Sequence, residues 1–271
     1  MSQREIRATA SAGEGEGNAS GRRAPAEGRP QTGRLRRRAR QNAWLVSTIA
    51  WVSAIWVGSD LGYYLVLPRL GVDPNYNASP IVITAYYCFW IGVTIIALWP
   101  TYRLWARVSR WPTFQSRMES LLVWTLAFIA SVAFVAYGVP ALPELAWDGS
   151  WAPEFVRAGP LYFLPKSADI LLQQLLVLAF VVALAAQQLS TLRMSLLSAA
   201  LFGGAHVLLF FGDVPLRYVV RFMISAAAFG LVFPYLILRV RHGLAYSYMV
   251  HWAYYAFSVV LPHIVLAVAP S

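Results

Sequence analysis

Charge is scarce in this chain of 271 residues: only 13% are charged and only 12 are Asp or Glu. A single cysteine, Cys88, excludes an internal disulfide framework and any cysteine-based metal cluster. No Gly-x-Ser-x-Gly, His-Glu-x-x-His, Walker loop or dinucleotide fingerprint occurs, so the common hydrolase, zincin and nucleotide-binding signatures are missing. The chain also lacks a groove-reading or base-stacking module. Its most basic run, "RLRRRAR" at 34–40, therefore reads as a topology determinant beside anionic lipid headgroups, and no nucleic-acid partner is expected. No internal repeat of the inverted-transporter kind is visible either.

What is present is apolar. The sequence is 58% hydrophobic and 14% aromatic, with a mean hydropathy of +0.54, outside the range of soluble domains. An all-α, polytopic integral membrane protein of about seven transmembrane helices is expected, since each crossing takes roughly 20 residues. Runs of that length fall at 43–67, 80–99, 120–142, 168–188, 194–211, 216–238 and 244–268. Pro68, Pro80, Pro100, Pro143 and Pro215 mark their ends, where a missing N–H does least harm. The stretch "PELAWDGSWAPEFVRAGPLYFLPKS" between the third and fourth runs suits an interfacial loop, with Trp147, Trp151 and Tyr162 as its aromatic anchors.

Two regions follow from composition. Residues 1–40 hold ten Arg against four Glu and almost no large apolar side chains, which predicts a disordered basic tail. No signal peptide is expected there, because the charged region is too long and no small-residue cleavage site follows. Residues 41–271 form the helical membrane domain. Arg103, Arg107, Arg110 and Arg117 after the second span, Arg193 after the fourth, and Arg239 and Arg241 after the sixth place those loops with the tail on the cytoplasmic side. The expected home is a cell inner membrane.

Against this background the titratable residues stand out. His206, in "ALFGGAHVLLFF", and His251, in "YSYMVHWAYYAF", both lie within predicted spans, where ionisable groups are costly unless they face protein or a wet cavity. Each is either a site residue or a neutral imidazole that glues helices together by hydrogen bonding. The fourth span adds Asp169, Gln173 and Gln174; Asp169 and Gln173 sit one turn apart on one face. If spans four and five form a hairpin turning near residue 191, Gln173 and His206 end at similar depth, so polar groups from three helices are expected to share one pocket.

These residues resemble those of the CPBP family, the CAAX-protease and bacteriocin-processing (Abi-type) intramembrane proteins, whose members carry EExxxR, FxxxH and HxxxN or HxxxD on successive helices. The chain has Phe202-Gly-Gly-Ala-His206 as the second motif, and its "FGLVFPYLILRVRHGLAYSYMVHWAYYAF" is similar to the family's final stretch. The resemblance covers about residues 165–265. Gln173 and Gln174 stand where the family has two glutamates, Leu178 stands at the arginine position and Tyr255 at the asparagine or aspartate position. The family's glutamate activates water, and an amide cannot take that proton. The resemblance thus implies a catalytically degenerate pseudoprotease that binds a transmembrane or lipidated protein client, or scaffolds a membrane complex. An active endopeptidase is the alternative, with His206 and His251 working beside Asp169 or a divalent metal. A transporter or structural subunit is a third.

The same residues admit other readings. Asp169, directly after "PKS", also suits a helix N-terminal cap. Gln187-Gln188 with Arg193 offers a second position for the degraded first motif, but too close to His206 for the hairpin. Arg217 and Arg221, four apart after "GDVP", are candidates to contact a lipid phosphate or to pair with Asp213. His242 and His263 are expected at the interfaces, and the "GGAH" and "SAAAFG" stretches are expected to allow close helix approach.

Overall fold

Long apolar runs must satisfy their own backbone hydrogen bonds, and this chain does so with helices throughout. The computed structural model describes residues 30–108, 114–143, 154–212 and 214–268. Helix α1 spans Pro30–Leu61 and continues through a wider turn, Gly62–Val66, to Arg69. Then follow α2 (Pro80–Ala97), α3 (Trp99–Val108), α4 (Phe114–Ala133), α5 (Phe163–Ala186), α6 (Thr191–Ala205), α7 (Leu216–Arg239) and α8 (Gly243–Val268). Helix α6 tightens into a narrower turn over His206–Gly212. No strand occurs among the described residues.

The fold is all-α and polytopic, with six helices among the described residues long and apolar enough to cross a membrane. The expected count of about seven is corrected on one helix. Helix α8 has the length, at 26 residues, but is not among those six. Helix α1 begins at Pro30, and the Arg, Leu, Gln and Ala that follow are good helix formers. Most of the predicted disordered tail, residues 1–29, lies outside the described residues.

Helix α5 is the axis of the bundle. It touches α1, α2, α3, α6, α7 and α8, and 78% of its apolar window is buried, against none for α4. It is apolar all round because protein surrounds it all round. The turn after it is tight: Gln188 takes a φ of 59°, and the Ser190 side chain accepts from the Arg193 N–H at 3.3 Å to start α6. The predicted hairpin of the fourth and fifth spans is therefore present. Small residues close the α6–α7 pair, with Gly203 against Ala227 and Gly230 against the backbone of Ala199. Helix α4 is tied in through the turn before α8, where Ser120 Oγ lies 2.7 Å from His242 Nδ1 and Glu119 pairs with Arg241. His263 Nδ1 donates to the Pro143 carbonyl at 2.6 Å.

Candidate functional site

A cavity of about 610 Å³ opens at the end of the bundle where α1 finishes and α5 begins. Its mouth lies among helix ends and loops at Pro68, Pro74, Asn75, Gly212 and Val214; its deeper wall is formed by Asp169, Gln173, His206 and Tyr255. Gln173 lies ten residues into α5, so the cavity reaches about 15 Å along that helix.

The wall is built on one charged pair. Lys166 Nζ lies 2.9 Å from Asp169 Oδ2, three residues on in the same helix, and both side chains are 10% exposed. Lys166 is the chain's single lysine. Its ε-ammonium sits between two aromatic faces, 4.5 Å from the Tyr76 ring centre and 4.2 Å from that of Tyr255. Desolvated cation–π contacts of this kind are worth about 2 kcal/mol. Asp169 is further held by Tyr76, whose hydroxyl donates to Oδ2 at 3.2 Å, and by Gln173, whose amide donates to Oδ1 at 2.8 Å. Tyr76 also shares a hydrogen bond with Tyr87, 2.8 Å between hydroxyls. Burial pushes the Tyr76 phenol well above its ordinary pKa, so it stays protonated and available as a donor.

The loops are pinned around this pair. Glu154 accepts from the Tyr76 N–H at 3.1 Å, the Asn77 side chain donates to the Glu154 carbonyl at 3.2 Å, and Asn77 Oδ1 accepts from the Gly159 N–H at 3.1 Å. Burial raises the Glu154 carboxyl above its ordinary value, partly opposed by that backbone hydrogen bond and by Lys166. Tyr162, expected in an interfacial loop, is instead buried beside Tyr76, with ring centres 5.6 Å apart. Trp147 and Trp151 of the same stretch lie outside the described residues.

The two histidines flank one phenylalanine. Their rings meet Phe202 edge-on at centre distances of 5.4 Å for His206 and 5.8 Å for His251. His206 lines the cavity and its Nδ1 donates to the Phe202 carbonyl at 2.8 Å, which leaves Nε2 as the acceptor nitrogen. His251 is 2% exposed, packed against Phe229 and Tyr255, with Nδ1 3.2 Å from Gln174 Nε2. Asp169, Gln173, Tyr255 and His206 thus share one cavity wall, while Gln174 and His251 form a buried pair beside it. The Oε1 atoms of both glutamines are buried without a hydrogen-bond partner.

No family model, curated protein or solved structure matches the chain. The site has to be read from its own geometry.

Two expectations change on that reading. Asp169 is not a helix cap: α5 starts at Phe163, five residues before the predicted start, because Pro165 fits the first turn of a helix. Asp169 falls a full turn beyond that start and faces inward. Nor is it brought together with His206 and His251 as a metal-ligand set: its oxygens accept from Lys166, Tyr76 and Gln173, and His251 is paired with Gln174 beside the cavity. Among the described residues no three His, Cys, Asp or Glu side chains converge to hold a metal ion. A divalent cation does not fit this donor set. Gln187, set aside as too close to His206, lies away from the site, where its amide donates to the Gln41 carbonyl at 3.0 Å.

Arg217 and Arg221 lie on the surface of α7 near the same end. The Arg217 guanidinium stacks on Tyr218 at 4.9 Å, and Arg221 reaches Ser258 Oγ at 3.4 Å and the Phe155 ring at 5.4 Å. Asp213, the proposed partner, lies outside the described residues. Lys166, Tyr76, Asp60 and Glu154 were not singled out in the sequence. Two signals pointed to them: one lysine among 21 arginines, and one acidic residue, Asp60, within the first apolar run.

Proposed function

We propose that the protein is a CPBP-like membrane protein that binds a membrane client in its cavity without cleaving it. The observation that carries this reading is that the motif positions are tied to other groups of the protein rather than turned to a reacting bond. Gln173 is spent as a donor on Asp169, Gln174 is paired with His251, and the one carboxylate beside them accepts from Lys166, Tyr76 and Gln173 together. A general base needs a free lone pair and a substrate or water within hydrogen-bond reach. Asp169 is instead committed to holding α5 against the loop that carries Tyr76. The cavity volume is within the range of small-ligand sites, which suits binding. We place the protein in a cell inner membrane with its N-terminus cytoplasmic, on the arginine bias of its loops, and its client is transmembrane or lipidated.

The test uses the full chain in detergent micelles with a fluorescent farnesylated peptide and, separately, a fluorogenic peptide library with and without added divalent metal. Binding without cleavage is the expected result, and binding should survive His206→Ala. Cleavage by the unmodified protein that is lost in Asp169→Asn would overturn the proposal and make Asp169 a general base.

A further inference from the structure

The cavity is lined by more carboxyl groups than its own cation pairs with. Lys166 is neutralised by Asp169, but Asp60 on α1 and Glu154 in the loop before α5 also line the wall. Neither forms an ion pair with a Lys or Arg among the described residues. Each of them lies within electrostatic reach of the Lys166–Asp169 pair. Around them the wall is aromatic, with Trp56, Tyr63, Tyr64 and Phe155 adding π-faces. The deep acceptor Gln173 Oε1 has no partner.

We infer that the cavity binds an alkylammonium group, with Asp60 and Glu154 as its counter-charges and the surrounding rings as its π-faces. The wall already holds one such group in the same manner: the Lys166 ammonium between Tyr76 and Tyr255, against Asp169. A second ammonium, supplied by a ligand, would find the same combination of ring face and carboxylate. A small hard metal ion would not, since it needs a shell of oxygen ligands at short range and gains little from aromatic faces. The mouth lies at helix ends, the level of lipid headgroups, so the ammonium arrives either as the headgroup of an amine-bearing lipid or as a free amine. This inference rests on reading the cavity as a binding site and names the chemistry that the site takes.

The experiment is calorimetric titration of ethanolammonium and of tetramethylammonium into the full chain in uncharged maltoside micelles, with inorganic phosphate as the anionic counter-probe. One saturable ammonium site per chain is expected. Asp60→Asn and Glu154→Gln, which keep shape and hydrogen-bond acceptors, should each weaken it at least tenfold, while Arg193→Gln at the opposite end of the bundle leaves it unchanged. Melting temperatures of the variants within a few degrees of the parent separate lost binding from lost fold. In phosphatidylglycerol nanodiscs, a fall in ethanolammonium affinity on adding phosphatidylethanolamine assigns the source to the lipid headgroup. Unchanged affinity assigns it to the free amine. Phosphate binding as tight as ammonium binding, or ammonium binding indifferent to both acidic substitutions, would overturn the inference. Peptide cleavage with ammonium binding intact would overturn only the non-hydrolytic reading.

Discussion

Removing the Lys166 ammonium should be among the most damaging single changes available to this protein. In Lys166→Met the apolar stem is kept, but Asp169 loses its counter-charge at 2.9 Å, and the Tyr76 and Tyr255 rings lose the cation between them. The carboxylate retains two neutral donors, Tyr76 and Gln173, at 3.2 and 2.8 Å. Breaking a buried ion pair by removing one partner costs about 3–5 kcal/mol, most of it the penalty of the charge left behind. With two donors still in place the loss should fall at the lower end, about 3 kcal/mol. For a chain of this size that is a fall in Tm of about 6–12 °C at 2–4 °C per kcal/mol. The assay is thermal unfolding in one detergent at one scan rate, repeated for Asp169→Asn and for the double variant. Asp169→Asn removes the orphaned charge, so the double variant should be more stable than the two single losses added together, by at least about 1 kcal/mol. A single-variant cost below about 1 kcal/mol, as for a solvent-exposed pair, or simple additivity, would refute the reasoning.

Gly230→Ala should be strongly destabilising, since its Cβ would lie 2.5 Å from Ala199 Cα and 2.6 Å from Ala199 N, backbone atoms that cannot step aside without separating α6 from α7. A loss of about 1–3 kcal/mol is expected, read as a lower Tm, whereas Gly204→Ala, which meets nothing within 4 Å, should be close to neutral. Gln173→Glu replaces a donor 2.8 Å from Asp169 with a second carboxylate, so it should lower stability by about 1.5–3 kcal/mol and confer no peptidase activity; unchanged Tm would contradict the placement of that amide. Glu154 holds its proton more tightly in the folded chain than in the unfolded one, so its share of stability is fully present below the ordinary value of 4.5 and is lost as pH rises through the raised folded value. Glu154→Gln should flatten that limb of the stability–pH profile, and an unaltered profile would count against the burial. Reporter fusions at residues 110 and 241 should both read as cytoplasmic, and opposite readings would reverse the arginine-based orientation.

The helices were legible because hydropathy over 20 residues measures what a bilayer demands, and the α5–α6 hairpin followed from the run lengths alone. The last run, 244–268, does form a helix, α8, but that helix is not among the six long and apolar enough to cross a membrane. The site was legible in outline: Gln173 and His206 share a wall, as counting residues to the hairpin turn implied, whereas His251, expected in the same pocket, is buried beside it against Gln174. Its electrostatic centre was not. Asp169 resembled a cap because α5 was started at residue 168, and the five residues missing from that start contain Lys166, the partner that explains Asp169. Tyr76, in the loop between α1 and α2, reaches Asp169 across a separation of 93 residues. No periodicity within one helix encodes such a contact.

A chain with one lysine has one internal primary amine, and here that amine is shielded by a carboxylate and two phenol rings. Small amine-acylating reagents therefore meet a single slow target whose reaction rate reports how often α5 parts from the loop carrying Tyr76. The protein thus contains its own chemical clock for opening of the cavity: a reagent that reads one residue, needs no engineered label, and should slow whenever a ligand keeps that wall closed.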